Sequence, residues 1–251
     1  MTTPTRPPPS TPSPYHSIRA TYTPTTITVY QAYNPTIASA AVAAQKFVPP
    51  FKLTRMTWIK PSFLWMAYRS GWARKPGQER ILAIELTRAG FEWALSHAVL
   101  SHPSPAVYAD EAAWEERKRK AVVRVQWDPE RDLGLRPMGW RSLQVGLGGV
   151  AVERFVEEWV VGIRDVTGLM REVEGLVVEK RWEEARGLLP KEEVYEVPEE
   201  VGRMIGVGDR GDESRVNDGG KGKGRGVIKG EEKGEVKGVG DEDGDGSASV
   251  Q

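Results

Sequence analysis

Cationic and aromatic side chains crowd together between Arg55 and Lys75: Arg55, Trp58, Lys60, Trp65, Tyr68, Arg69, Trp72, Arg74 and Lys75. Aromatic faces stack on bases and cations neutralise phosphates, so the mixture suits a planar anion of the nucleotide kind. Arg55, Lys60 and Arg69 are the phosphate candidates, joined by Arg19 upstream. Trp58 and Tyr68 are the stacking candidates, joined by Tyr30 and Tyr33. Ser62 follows Pro61 at a helix start, where free backbone N–H groups favour anions. A plainer reading stands beside this one. Trp58, Trp65 and Trp72 recur every seven residues, so Trp65 and Trp72 share a helix face, as core residues do.

A second polar position stands out further along. In Arg141-Ser142-Leu143-Gln144-Val145-Gly146-Leu147, the apolar Leu143, Val145 and Leu147 take one face of a strand. Gln144 therefore points the other way, toward solvent or a pocket. Other chemistries are excluded or unsupported. With no cysteine there is no disulfide or thiol catalysis, and three histidines lack ligand-like spacing. Asp128, Glu130 and Asp132 are interleaved with Pro129 and Arg131, which reads as a charge-paired turn and not a metal site. The glycines of 219–226 lack the Gly-Lys-Ser/Thr ending of a phosphate loop.

The elements that must position these residues follow from periodicity. Residues 26–33 are rich in β-branched and aromatic side chains and predict a strand. Asn34-Pro35 caps a small-residue helix that Pro49-Pro50 stops. Thr54–Ile59 predicts a second strand, and Pro61 to Gly71 a largely buried helix. Strands follow at 79–87, 121–127 and 141–147, with a helix at 88–97 and a charged helix or loop at 109–120. The period then changes to 3.6, with Val152, Phe155, Val156, Trp159, Val160 and Ile163 on one face, and Thr167 is expected to cap another helix. The fold class is therefore α+β, a single domain of short mixed or antiparallel strands with interspersed helices and two C-terminal helices.

Composition bounds that domain. Residues 1–17 hold six of the 18 prolines and no acidic residue, and from Gly206 on the chain holds 14 of its 27 glycines. Neither segment carries enough apolar surface to offset its ordering entropy, so 1–17 and 206–251 are predicted to be disordered around a folded body at 18–205. No stretch approaches a membrane span, and the head lacks the apolar run of a secretory signal. A cytoplasmic or nuclear protein, not a secreted one, is expected. The net charge of zero conceals an asymmetry: residues 18–150 carry 18 Lys/Arg against 10 Asp/Glu, and residues 151–205 carry 8 against 14. A basic half joined to an acidic half fits a nucleotide ligand, or two solvated surfaces of opposite sign.

From Ile18 to Pro198 the chain resembles the domain-of-unknown-function 4291 family. The matching stretches include Val29-Tyr30-Gln31-Ala32-Tyr33, Phe47-Val48-Pro49-Pro50-Phe51, Arg55 to Trp72, Val125 to Arg131 and Arg141 to Leu147. More distantly, the order of elements is similar to that of ADP-ribosyltransferases. That resemblance implies an ADP-ribosyltransferase-like fold, NAD as cofactor and transfer of ADP-ribose to an acceptor. It puts Gln31 where a His or Arg helps hold the NAD ribose, and Ala32 where a glycine backbone grips the nicotinamide amide. Thr57 to Ser62 takes the place of the second signature strand. Gln144 stands where a catalytic Glu stands, so it keeps a hydrogen-bonding amide but brings no negative charge. Gln31 and Gln144 are thus the catalytic candidates. The alternatives are a non-catalytic nucleotide or nucleic-acid binding module using the same residues, and a structural interaction domain whose tails recruit partners.

Overall fold

Residues 26–33 alternate Thr26 and Thr28 with buried Ile27 and Val29, and they form a strand in the computed structural model, which describes residues 15–208. These residues all belong to one compact unit. In chain order the elements begin with β1 (Arg19–Ala20), β2 (Thr26–Tyr33), α1 (Pro35–Ala44), β3 (Thr57–Ile59) and α2 (Phe63–Ser70). Next come β4 (Arg80–Thr87), α3 (Arg88–Ser96), β5 (Ala98–Leu100), α4 (Glu111–Lys120), β6 (Val123–Arg131) and β7 (Pro137–Leu147). The chain continues through α5 (Val150–Arg154), a π-helical turn (Phe155–Trp159) and β8 (Val160–Asp165). It ends in α6 (Thr167–Val178), α7 (Trp182–Leu188), β9 (Glu193–Val194) and α8 (Glu199–Ile205). The domain is α+β, with strands in three sheets of order β2-β4-β8, β3-β7-β6-β5 and β1-β9.

Two sheets meet at one point. Tyr30 donates its backbone N–H to the Lys60 carbonyl at 2.8 Å and accepts the Lys60 N–H at 3.3 Å, a single bridge between β2 and the end of β3. Beyond it, the amide of Gln31 donates to the Trp58 carbonyl at 2.9 Å, where a strand ladder would otherwise continue. The two strands are therefore pinned at one end and splay at the other. Local chemistry supports the flanking helices. Asn34 caps α1 by accepting the Ile37 N–H, Ser62 caps α2 by accepting the Trp65 N–H, and Gly71 closes α2 in the left-handed region.

The C-terminal half departs from the expected pair of helices. The helix starting near Val152 ends at Trp159, and Val160–Asp165 is β8, hydrogen-bonded antiparallel to β4. Ile163 is buried as expected, but it stands on a strand opposite Ile84. The open edge of β4 supplies hydrogen bonds that outweigh a periodicity shared by both readings. Gln45, in the left-handed cap of α1, then covers the outer edge of β8 by bonding both the N–H and the C=O of Ile163. Five further elements, α7, α8, the short strand β5 parallel to β6 and the paired two-residue strands β1 and β9, were not expected from periodicity.

The acidic run at 128–132 is also not a turn throughout. β6 continues past Pro129 to Arg131, with a register shift at that proline, and only Asp132 enters the turn, where it pairs with Arg136. The expected disorder of 1–14 and 209–251 lies outside the described residues. Residues 15–17 pack on the fold: the Tyr15 carbonyl accepts the Arg141 N–H and His16 stacks on Trp127 with centroids 4.5 Å apart. No helix among the described residues is long and apolar enough to cross a membrane.

Candidate functional site

The splayed strands leave a cleft of about 550 Å³. Gln31, Ala32 and Tyr33 of β2 form one wall, and Thr57 and Trp58 of β3 form another, with Gln144 of β7 beside them. Phe51, Lys52, Arg55 and Met56 come from the loop before β3, and Lys60, Trp65, Met66 and Arg69 from the segment through α2. Asn34 and Ile37 bring the N-terminus of α1 to the same space.

Eight of the residues singled out in the sequence line this cleft: Gln31, Ala32, Tyr33, Arg55, Trp58, Lys60, Arg69 and Gln144. Four do not. Tyr30 is buried with its ring edge-on to Phe63. Tyr68 is exposed on the outside of α2, with the Arg131 guanidinium 3.5 Å over its ring. Arg19 and Ser62 line a separate, smaller pocket. Helical geometry explains the Tyr68 outcome. Met66 and Arg69 lie on the cleft side, three residues apart, and Tyr68 falls between them on another face.

Gln31 is the anchor of the inner wall and is only 3% exposed. Its amide N–H₂ donates to the Thr57 hydroxyl at 2.6 Å and to the Trp58 carbonyl. Both protons are then committed, and its buried Oε1 has no hydrogen-bond partner among the described residues. The Thr57 hydroxyl, already an acceptor from Gln31, shares a proton with the Tyr33 hydroxyl 3.2 Å away. Burial pushes the Tyr33 phenol up to about 12, with the Thr57 hydrogen bond and the Arg55 charge pulling the other way. It therefore stays protonated at neutral pH and serves as a hydrogen-bond donor or acceptor, not as a base.

Lys60 lies in the floor, 1% exposed. Its Nζ donates to Asp128 Oδ2 at 2.9 Å and to the Ser142 carbonyl at 3.2 Å, and lies 4.0 Å from the centroid of the Trp65 ring. Burial pushes the ammonium down to about 8, and the adjacent Asp128 carboxylate opposes that shift. All three N–H directions are engaged, so Lys60 is a structural cation more than a nucleophile. Sequence reasoning missed Asp128 as its partner. The signal was present in the spacing: Lys60 and Ser62 are two apart and bond Asp128 and Glu130, also two apart, as facing extended segments do.

The outer part of the cleft is cationic. Lys52, Arg55 and Arg69 are exposed and take part in none of the ion pairs among the described residues. No carboxylate is among the residues lining the cleft. Gln144 is half-buried, and its amide makes no hydrogen bond to any described residue. Opposite Trp58 in the β3–β7 pairing stands Gly146, where a Cβ would come within 2.9 Å of the Trp58 ring and the Met56 sulfur. Glycine at that position lets the indole lie across the sheet beside Gln144. Lys52, Thr57 and Phe51 were not singled out for a site, because a loop and a buried strand end carry no period. A family model described as a domain of unknown function (DUF4291) matches residues 17–195 of the chain. No curated protein matches it.

Proposed function

This chain belongs to the DUF4291 family, whose description names no activity, and from the cleft we propose that it binds NAD or a related nucleotide and transfers ADP-ribose from it to an acceptor. The observation that carries this reading is convergence. Gln31, Trp58 and Gln144 lie far apart in sequence, on the three strands that an ADP-ribosyltransferase-like fold would use, and they line one cleft. The three unpaired cations beside them suit a pyrophosphate, and the N-terminus of α1 adds its partial positive charge.

The residues fit the group as follows. Lys52, Arg55 and Arg69 neutralise phosphate, and Trp58, Tyr33 and Phe51 offer flat apolar faces to a base. The orphaned Oε1 of Gln31 accepts from a buried donor of the ligand, and the Gln144 amide orients a ribose hydroxyl. NAD supplies an activated ADP-ribosyl group with nicotinamide as its leaving group. Gln144 brings no negative charge to an oxocarbenium-like centre, so the chain's own contribution is binding and orientation. The lack of a carboxylate in the lining favours a second reading, a nucleotide or nucleic-acid binding module without turnover.

One titration series separates the two. The thermal midpoint is followed against NAD, ADP-ribose, single-stranded DNA and RNA, with release of nicotinamide from NAD measured in parallel. A ligand that binds only the folded chain raises the midpoint as ln(1 + [L]/Kd). A shift by NAD that Arg55→Glu with Arg69→Glu abolishes is expected. Nicotinamide release lost in Gln144→Ala, with binding kept, supports the transferase. Shifts by oligonucleotides alone, falling steeply with salt, support the binding module. No shift by any of them removes both readings.

A further inference from the structure

The sheet β3-β7-β6-β5 has two faces, and one of them is core. Val123, Val125, Leu143, Val145 and Leu147 turn inward and are buried. Their neighbours along each strand turn outward. Register then sets Trp58, Gly146 and Arg124 in one outward row and Gln144 with Gln126 in the next. A third row, Ser142 and Asp128, is covered by Lys60, whose ammonium bonds both the Asp128 carboxylate and the Ser142 carbonyl. Farther along β6, Glu130 is buried and bonds Ser62. The first two rows are more open. Trp58, Arg124, Gln126 and Gln144 are all half-buried, and they continue the wall of the cleft past Gln144 onto the sheet.

Arg124 enters no ion pair among the described residues, and its Nε has no hydrogen-bond partner there. Gln126 is held in one orientation. Its Nε2 donates to Asp128 Oδ1 at 2.8 Å, and Lys60 holds the other oxygen of that carboxylate. The Oε1 of Gln126 is thereby turned away from Asp128 and left as an acceptor. Gln144 stands directly opposite Gln126 with its amide unbonded. The Trp58 indole lies across Gly146, in the row of Arg124. Asp128 is already neutralised by Lys60. What stays available is one cation, two adjacent carboxamides and an aromatic face. A guanidinium takes phosphate, carboxamides take base edges, and an indole takes the face of a base. β7 lies between β3 and β6, so this part of the sheet offers no open ladder to a peptide strand. From β3 to β6 is two strand spacings, roughly 10 Å, which matches about three stacked nucleotides at roughly 3.4 Å each.

We infer that a single-stranded nucleic acid lies on this face, with a phosphate at Arg124, base edges at Gln126 and Gln144 and a base on Trp58. The inference names the partner of the binding-module reading and rests on that reading, since Trp58 and Gln144 belong to both. The test uses the full 251-residue chain with labelled single-stranded RNA and DNA oligonucleotides of about ten nucleotides, followed by fluorescence anisotropy. Saturable binding that weakens as salt rises is expected, and Arg124→Glu is expected to weaken it at least tenfold. Arg124→Gln should flatten the slope of log affinity against log salt by about 0.7, the share of one phosphate contact on a single strand. If Arg124→Glu does not fold, a 4-thiouridine oligonucleotide is photocrosslinked to the parent chain, with crosslinks expected in the peptides that carry Trp58, Gln126 or Gln144. Binding unaltered in both Arg124 variants, or crosslinks confined to other parts of the chain, overturns the inference and leaves the binding-module reading standing. No binding of either oligonucleotide overturns both.

Discussion

The cleft and the smaller pocket open from neighbouring residues of one segment, Thr57 to Ser62, yet the cleft lining is cationic and the pocket lining is balanced between arginines and glutamates. Thr57, Trp58 and Lys60 line the cleft, with Lys52, Arg55 and Arg69 and no carboxylate in its lining, and Ser62 lines the pocket, where Glu130 and Glu192 stand beside Arg19 and Arg131. Some charges elsewhere are held in ion pairs. Arg74 grips Glu174 at 2.7 Å, Arg181 grips Glu184 at 2.6 Å, and Asp132 is held by Arg136. Exposed pairs of that kind contribute little to stability, so their presence elsewhere is unremarkable. What is informative is where pairing stops, because charge left uncompensated around a concavity is available to a ligand.

Lys60 is the residue that divides the two regions, and removing it is the most damaging way to break the comparison. Lys60→Met leaves Asp128 buried without its cation and is expected to cost about 3–5 kcal/mol. The added change Asp128→Asn should recover a large part of that loss. Urea unfolding of the single and double variants checks both statements. Equal losses in the two would mean that Lys60 matters for its packing on Trp65 and not for its charge.

Gly146 tests whether the cleft wall depends on a missing side chain. Gly146→Val forces a Cβ into the Trp58 ring and is expected to cost about 1–3 kcal/mol as overpacking. The indole must also move, so nucleotide-dependent stabilisation should fall in the same variant. A stable variant with unaltered ligand response would show that the Trp58 position is not what shapes the cleft.

The smallest expected effect is a pH slope that sharpens the contrast from the pocket side. Glu192 has its ionisation raised from 4.5 to about 8 in the folded chain. Between those values the folded chain keeps a proton that the unfolded chain has lost, so stability falls as pH rises from about 4.5 to about 8. Lys60 acts in the opposite sense. Its ionisation is lowered from 10.5 to about 8, so its contribution recovers above pH 8. Glu192→Gln keeps an acceptor for the Phe63 N–H and should raise the thermal midpoint at pH 8 relative to the parent, with little change at pH 4.5. Parallel midpoints for parent and variant across this range would remove the raised ionisation of Glu192.

Local chemistry was legible where one short stretch contained the whole cause. Asn34-Pro35 marked the start of α1, Pro61 that of α2, and the β-branched and aromatic enrichment of 26–33 specified β2, because these signals depend only on residues a few positions apart. The segment 160–165 was not legible. Val160 and Ile163, three apart, fit one helical face and share a side of β8 only through the register shift opposite Glu85 and Leu86, and the free edge of β4 decided between the two. The charge pattern of the site divides in the same way. Composition marked the first half as basic, and placed Arg55, Arg69 and Trp58 in the segment that builds the cleft. It did not show that Tyr68 turns outward or that Arg19 and Ser62 face another pocket.

By itself the sequence determined the locally capped helices, the β-branched strand β2 and the stock of charge, since each follows from nearest neighbours along the chain. Only the tertiary structure decided which charges remain unpaired. The single bridge from Tyr30 to Lys60 pins two sheets, and the side chain of Gln31 takes the place of the next ladder bond. From that point β2 and β3 diverge, Gln144 enters from β7 across Gly146, and Asp128 reaches Lys60 from 68 positions away. Electrostatic compensation depends on distance in space, and for these residues that distance is set by sheet pairing between segments that no local pattern connects.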